Sequence, residues 1–169
     1  KNMSKDIDEM ENMLNDYLQF AKTQAKESTE KISLMQIFQI IENQIKNSNL
    51  KIFFENDISL YGRKNALQRC FSNIINNGLT YGKQINVKVQ KSSNRAVILF
   101  DDDGPGIPME HHRNVFKPFF RLDKSRSLNK SGVGLGLAIV EDVVHSHGGN
   151  IQLSKSNMDG LQVKVSLPF

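Results

Sequence analysis

Asn73 and Asn77 stand four residues apart in "NIINN", a spacing that puts both carboxamides on one face of a helix. A helix interior disfavours Asn by propensity, so two on successive turns, among Phe71, Ile74 and Ile75, call for a reason. Carboxamide oxygens suit a hard cation such as Mg²⁺, and amide hydrogens suit phosphate oxygens. An exposed polar stripe, or a pair of amides satisfying the core, would use the same spacing. Further on, "DDDGPGIP" (101–108) follows the apolar run "AVILF". Gly104 and Gly106 let the backbone bend close to a flat ligand. A carboxylate at a strand end can accept a hydrogen bond from an exocyclic amine such as that of adenine, a bond to a charged group worth roughly 1.5–3 kcal/mol. A solvated acidic turn or Ca²⁺ ligation would also use aspartates, although the spacing is not that of an EF-hand loop. Last, "SGVGLGLAIV" (131–140) sets glycines at 132, 134 and 136 before an apolar helical run. Backbone N–H groups at such a helix start favour an anion, whether in a nucleotide pocket, a dinucleotide fold or a simple hinge.

These residues need elements to hold them. Residues 3–22 carry Met3, Ile7, Met10, Leu14, Tyr17 and Ala21 in steps of three and four, an apolar seam that wants a partner helix. The polar run 23–31 reads as a linker. "SLMQIFQIIENQIKNS" predicts a helix with Leu34, Ile37, Phe38, Ile41 and Ile45 on one face. "LKIFFE" and "DISLYG" predict short strands, and "RKNALQRCFSNIINNGLTYG" predicts a helix through Leu67, Phe71, Ile74 and Ile75. "QINVKVQ" and "RAVILF" predict a hairpin. A long loop follows, then a helix over "LGLAIVEDVVHSHGG" ending at Gly148 and Gly149, then a closing hairpin. Mostly antiparallel strands with helices on one face make a two-layer α+β sandwich. The dinucleotide reading weakens here, because that fold needs a strand directly before its glycine loop, whereas 117–131 is irregular and basic.

The chain has 169 residues, a net charge of +4, 24% charged and 38% hydrophobic residues, which suits one sizeable core. No apolar stretch approaches the roughly 20 residues of a membrane span, and the start at Lys1 leads us to expect a piece of a longer chain. Cys70 stands alone in "LQRCFSNII", so a disulfide framework is excluded and a buried small hydrophobe is expected. Charge is unevenly placed: Asp6, Asp8, Glu9, Glu11 and Asp16 make the first helix acidic. Arg113, Lys117, Arg121, Lys124, Arg126 and Lys130 make the segment before the glycine loop basic. With little aromatic interleaving, that patch points to a nucleotide or acidic partner rather than nucleic acid. His111 and His112 are expected on an exposed helix start. His145 and His147 read as capping residues and do not share a face for zinc.

In this order and spacing the motifs resemble the N, G1, F and G2 boxes of the sensor histidine kinase ATP-binding domain, within the gyrase/Hsp90/histidine kinase/MutL superfamily. The matches are "NIINNGLTYG", "DDDGPGI", "VFKPFFRLD" and "GVGLGLAIV", and the resemblance spans about residues 33–168. "FKPFFRLDKSRS" is most similar to the osmolarity-sensor subfamily. The resemblance implies a Bergerat-type sandwich over 33–169, a linker at 27–32, and part of a dimerisation and phosphoacceptor hairpin helix at 1–26. It implies ATP and Mg²⁺ as ligands. Asn73 would hold Mg²⁺, Asn77 would contact Mg²⁺ or phosphate, Tyr81 would pack or bond along the nucleotide, and Asp102 would read adenine, bordered by Gly104, Gly106 and Ile107. Arg121 would approach the phosphates from a lid, with Phe116, Phe119 and Phe120 anchoring that lid. Val133, Gly134, Leu135, Gly136 and Leu137 would cradle the phosphates through their backbone. The implied partners are a response regulator receiver domain and a second copy of the chain, with no nucleic acid bound. The implied setting is the cytoplasmic side of a bacterial inner membrane, with the parent protein anchored there.

Two departures stand out. The position three after Asn77, commonly Lys or Arg in the family, is Thr80, which leaves Lys83, Arg121 or Lys130 to supply the charge. No "H-E/D-x-x-x-P" acceptor motif occurs, so no catalytic residue is assigned and the phosphoacceptor histidine is expected outside this sequence. A degenerate nucleotide-binding regulator and another ATPase or serine kinase of the superfamily are the alternatives.

Overall fold

The structure is a computed structural model that describes residues 27–122 and 134–169. The expected first helix with its seam, and residues 123–133, lie outside the described residues. Strand β1 (Glu30–Ser33) pairs antiparallel with β3 (Ser59–Gly62). The main sheet has five strands in the order β2 (Leu50–Phe54), β4 (Ile85–Ser92), β5 (Arg95–Asp102), β7 (Leu161–Pro168) and β6 (Asn150–Lys155). Only β2 and β4 run parallel. Among the described residues, helices α1 (Leu34–Ile45), α2 (Lys64–Tyr81) and α3 (Gly136–Ser146) accompany these strands in the expected mixed, mostly antiparallel α/β sandwich.

Alternation in the strands sorts the two faces of the sheet. Val87 and Val89 of β4, Ile98 and Phe100 of β5, and Val163 and Val165 of β7 are buried with the helices' apolar residues in one core. The Phe38 and Phe71 rings stack at 5.0 Å, and Phe100 leans against both. The other face carries Lys88, Asp101, Gln162 and Lys164. Cys70 is fully buried, and burial pushes its thiol far above the usual range, in line with a small core hydrophobe.

One local feature departs from the sequence reading, and two go beyond it. Residues 27–32, expected as a linker, partly fold into β1, whose Ile32 is buried. "LKIFFE" and "DISLYG" do form strands but join different sheets, because β2 finds β4 and β3 finds β1. Helix α2 has no side-chain cap of its own. Glu27 accepts the N–H groups of Asn65 and Ala66, and His147 Nε2 accepts that of Arg63 at 3.0 Å. Donors that a helix start leaves orphaned are thus met by residues from both ends of the sequence.

Candidate functional site

Asn73, Asn77 and Tyr81 lie at successive fourth positions of α2 and line one cleft of about 450 Å³, a size suited to a small-molecule ligand. Asp102, Gly106, Ile107, Arg121, Gly134, Gly136 and Leu137 line it too. Thus ten of the residues singled out by sequence, from four separate segments, surround one space. Two others do not line it. Leu135 is buried as the residue before α3, with its side chain in the protein, because the helical phase turns Gly136 and Leu137 outward instead. Gly104 contributes its N–H to Asp102 at 2.8 Å and so acts behind the wall. Val133 lies outside the described residues.

The three consecutive aspartates do three different things. Asp101 points to the outer sheet face, where its Oδ1 accepts from Ser156 Oγ at 2.9 Å and Gln162 Nε2 at 3.0 Å. Asp103 Oδ1 accepts the N–H groups of Gln84 and Lys83 at 2.9 and 2.7 Å. These bonds, Gln84's foremost, hold its carboxyl below the usual carboxylate range and fasten the end of α2 to the end of β5. Asp102 alone enters the cleft and is only 8% exposed. Burial pushes its carboxyl above the usual range, against the pull of N–H donors Leu161 and Gly104 on Oδ1. Since both of those bonds fall on Oδ1, Oδ2 is the oxygen available to a ligand donor.

Two glycines that sequence reading passed over make this arrangement possible. A Cβ on Gly78 would stand 2.5 Å from Ile85 Cδ1 and 3.4 Å from Asp102 Cβ, so the close approach of α2 to the strand end leaves no room for a side chain there unless Ile85 shifts. A Cβ on Gly160 would lie 2.3 Å from both the carbonyl O and Oδ1 of Asp102. The "DG" at 159–160 signals a turn, but nothing local ties that turn to Asp102.

At the opposite end of the cleft, Asn73 Nδ2 reaches the carbonyl of Gly136 at 3.5 Å. A side chain on Gly136 would fill the gap beside the Asn77 carboxamide, 3.7 Å from Nδ2. These neutral oxygens and this open gap fit Mg²⁺ in the form it usually takes, with phosphate oxygens and water as its other ligands. Gly134, at φ +80°, is met by the backbone of Phe119 and Phe120, and Phe119 N–H donates to Gly134 O at 3.0 Å. That bond joins the described residues on either side of 123–133. Of the expected lid anchors, Phe116 packs on the core, Phe119 is 56% exposed, and Phe120 lines the cleft. His111 and His112, expected on an exposed helix start, are half-buried at a short 3-10 turn (Met109–His111) and the residue after it, with His112 Nε2 2.9 Å from Ile107 O.

The profile of the histidine kinase-, DNA gyrase B- and HSP90-like ATPases matches residues 62–169, from the end of β3 to the last residue. The chain belongs to this ATPase family. Within the family its similarity is to sensor histidine kinases. It is 32% identical over 166 residues to sensor histidine kinase GtrS of Pseudomonas aeruginosa, covering 97% of this chain and 34% of that protein. It is 33% identical over 170 residues to sensor histidine kinase CpxA of Escherichia coli, covering 95% of this chain and 37% of that protein. The chain therefore spans about a third of the length of the curated relatives it matches. The solved histidine kinase domain of the E. coli osmosensor EnvZ superposes with a TM-score of 0.63 at 31% identity, over 82% of this chain and 88% of that one.

Proposed function

We propose that the chain is the ATP-binding catalytic domain of a two-component sensor histidine kinase. The observation that carries this reading is the buried carboxylate of Asp102, which shares one cleft with Asn73, Asn77 and the start of α3. A purine amine would donate to Asp102 Oδ2, with Tyr81 and Ile107 beside the ring. Phosphates would lie toward the start of α3, where backbone N–H groups favour anions and Arg121 reaches the same space. Mg²⁺, held by Asn73 and Asn77, would neutralise phosphate charge. Phosphoryl transfer depends mostly on positioning and charge neutralisation, and the chain's own residues serve those ends.

The γ-phosphoryl would pass to a histidine outside this sequence, then to an aspartate of a response regulator receiver domain. Dimerisation through the segment at 1–26, and a parent anchored with this domain on the cytoplasmic side of a bacterial inner membrane, belong to the same reading. Among the described residues no helix is long and apolar enough to cross a membrane. Titrating ATP with Mg²⁺ into the wild type, Asp102→Ala and Asn73→Ala tests the site; affinity unchanged in both variants would refute it.

One observation favours a second reading, a nucleotide-binding regulator without transfer. Thr80 Oγ1 donates to the carbonyl of Asn76 at 2.6 Å, so the hydroxyl is turned back on its own helix and brings no charge to the phosphates. Mixing the domain with a separate acceptor hairpin and labelled ATP distinguishes the two: phosphohistidine supports the kinase, and binding without it supports the regulator.

A further inference from the structure

Asp102 does not hold its orientation by itself. It ends β5, and one of its two bonds comes from Leu161 N–H at the very start of β7. The position of Leu161 is set by the turn before it, and that turn is organised around Ser156, a buried polar side chain. Ser156 N–H donates to Gly160 O at 2.9 Å, Asp159 N–H donates to Ser156 O at 3.1 Å, and Met158 N–H donates to Ser156 Oγ at 3.0 Å. The same hydroxyl donates its proton to Asp101 Oδ1, which also accepts from Gln162 on β7. Asp101 and Asp102 are neighbours on one strand, pointing to opposite faces. The turn therefore grips the strand end through Asp101 on the outer face, while the Gly160 backbone lies close against Asp102 and Leu161 N–H donates to its Oδ1.

We propose that Ser156 and Asp101 are positioning residues for base selection: their hydrogen bond on the outer sheet face fixes the turn that aims Asp102. The inference rests on the reading of Asp102 as the carboxylate that accepts from the purine 6-amino group. Neither Ser156 nor Asp101 lines the cleft, so neither touches the base. With Ser156 Oγ removed, Met158 N–H loses its acceptor and Asp101 keeps only Gln162. Leu161 N–H and the Gly160 backbone then no longer confine Asp102 to one orientation.

The test is the ratio of affinities for ATP and inosine triphosphate, which carries oxygen where adenine carries the amine. Each variant is titrated with both nucleotides. A variant that is merely less stable has a smaller competent fraction for both ligands, and that fraction cancels in the ratio. Ser156→Ala and Asp101→Ala are expected to shrink the ratio at least about threefold, a change that lost orientation of one charged hydrogen bond can supply. Asp101→Asn keeps a carbonyl oxygen for both donors and is expected to restore it. A ratio unchanged in Ser156→Ala and Asp101→Ala, while Asp102→Ala collapses it, would overturn the positioning role alone. A ratio unchanged in Asp102→Ala would overturn base reading by Asp102, and the proposal with it.

Discussion

His147 Nε2 accepts the backbone N–H of Arg63 at 3.0 Å, across 84 residues of sequence, while its Nδ1 lies 2.7 Å from the carbonyl of Val143. One ring thus ends α3 and begins α2, two helices that line the cleft. Both bonds are possible at once only for neutral imidazole, donating from Nδ1 and accepting at Nε2. Burial, chiefly, lowers the basicity of the ring from the ordinary 6.5. Because the unfolded chain takes up a proton that the folded chain refuses, this contribution is full above about pH 6.5 and is lost as pH falls toward the lowered folded value. Thermal melts at about pH 7.5 and 5.5 are expected to show the loss in the wild type. In His147→Leu the histidine part of that pH dependence disappears, and stability at the higher pH drops by about 1–3 kcal/mol as the imidazole bonds to Arg63 N–H and Val143 O are lost.

Gly160→Ala places a methyl carbon 2.3 Å from Asp102 O and Oδ1, and 2.5 Å from Gly104 N. Two of these are backbone atoms that cannot rotate aside, so the strand end or the turn must move. Overpacking of this kind costs about 1–3 kcal/mol. The expected outcome is a lower melting temperature together with weakened ATP binding, read by calorimetry with and without nucleotide. Unchanged ATP affinity would separate the turn from the site.

Arg121→Ala is expected to weaken ATP about tenfold, the scale of one charge-assisted hydrogen bond, and to leave adenosine binding unchanged. Titrations of both ligands check this. Equal losses for the two would place Arg121 at the base instead of the phosphates.

Chelating Mg²⁺ is expected to weaken ATP binding in the wild type, and to matter much less in the double variant Asn73→Ala, Asn77→Ala. The measurement is ATP affinity with Mg²⁺ and with a chelator in both proteins. An equal effect of chelation in the two would remove the carboxamides from the cation site.

Much of this protein was legible in residue order because the relevant signals are local. The fourfold spacing of Asn73, Asn77 and Tyr81 is a helix face wherever that helix lies. Alternation in "INVKVQ" and the apolar run of "AVILF" predict strands, and the glycines at 134 and 136 predict a chain reversal before a helix, all from sterics within a few residues. The four boxes in order carried the family.

What only tertiary structure decided is which of several chemically identical groups enters the cleft. Asp101, Asp102 and Asp103 are alike in sequence, and Asp102 was singled out there by resemblance. In the fold, strand alternation separates Asp101 from Asp102, and the helices choose the buried face. Leu135 and Gly136 are neighbours whose roles differ by one step of helical phase. The caps of α2 come from Glu27 and His147, the hold on Asp102 from Gly160 and Leu161, and β1 from a polar run that reads as a linker. Each is a pairing between distant segments, and it forms only when a shared core brings them together. A sequence pattern specifies the geometry of each element on its own; contacts between elements depend on how their apolar faces close on one another.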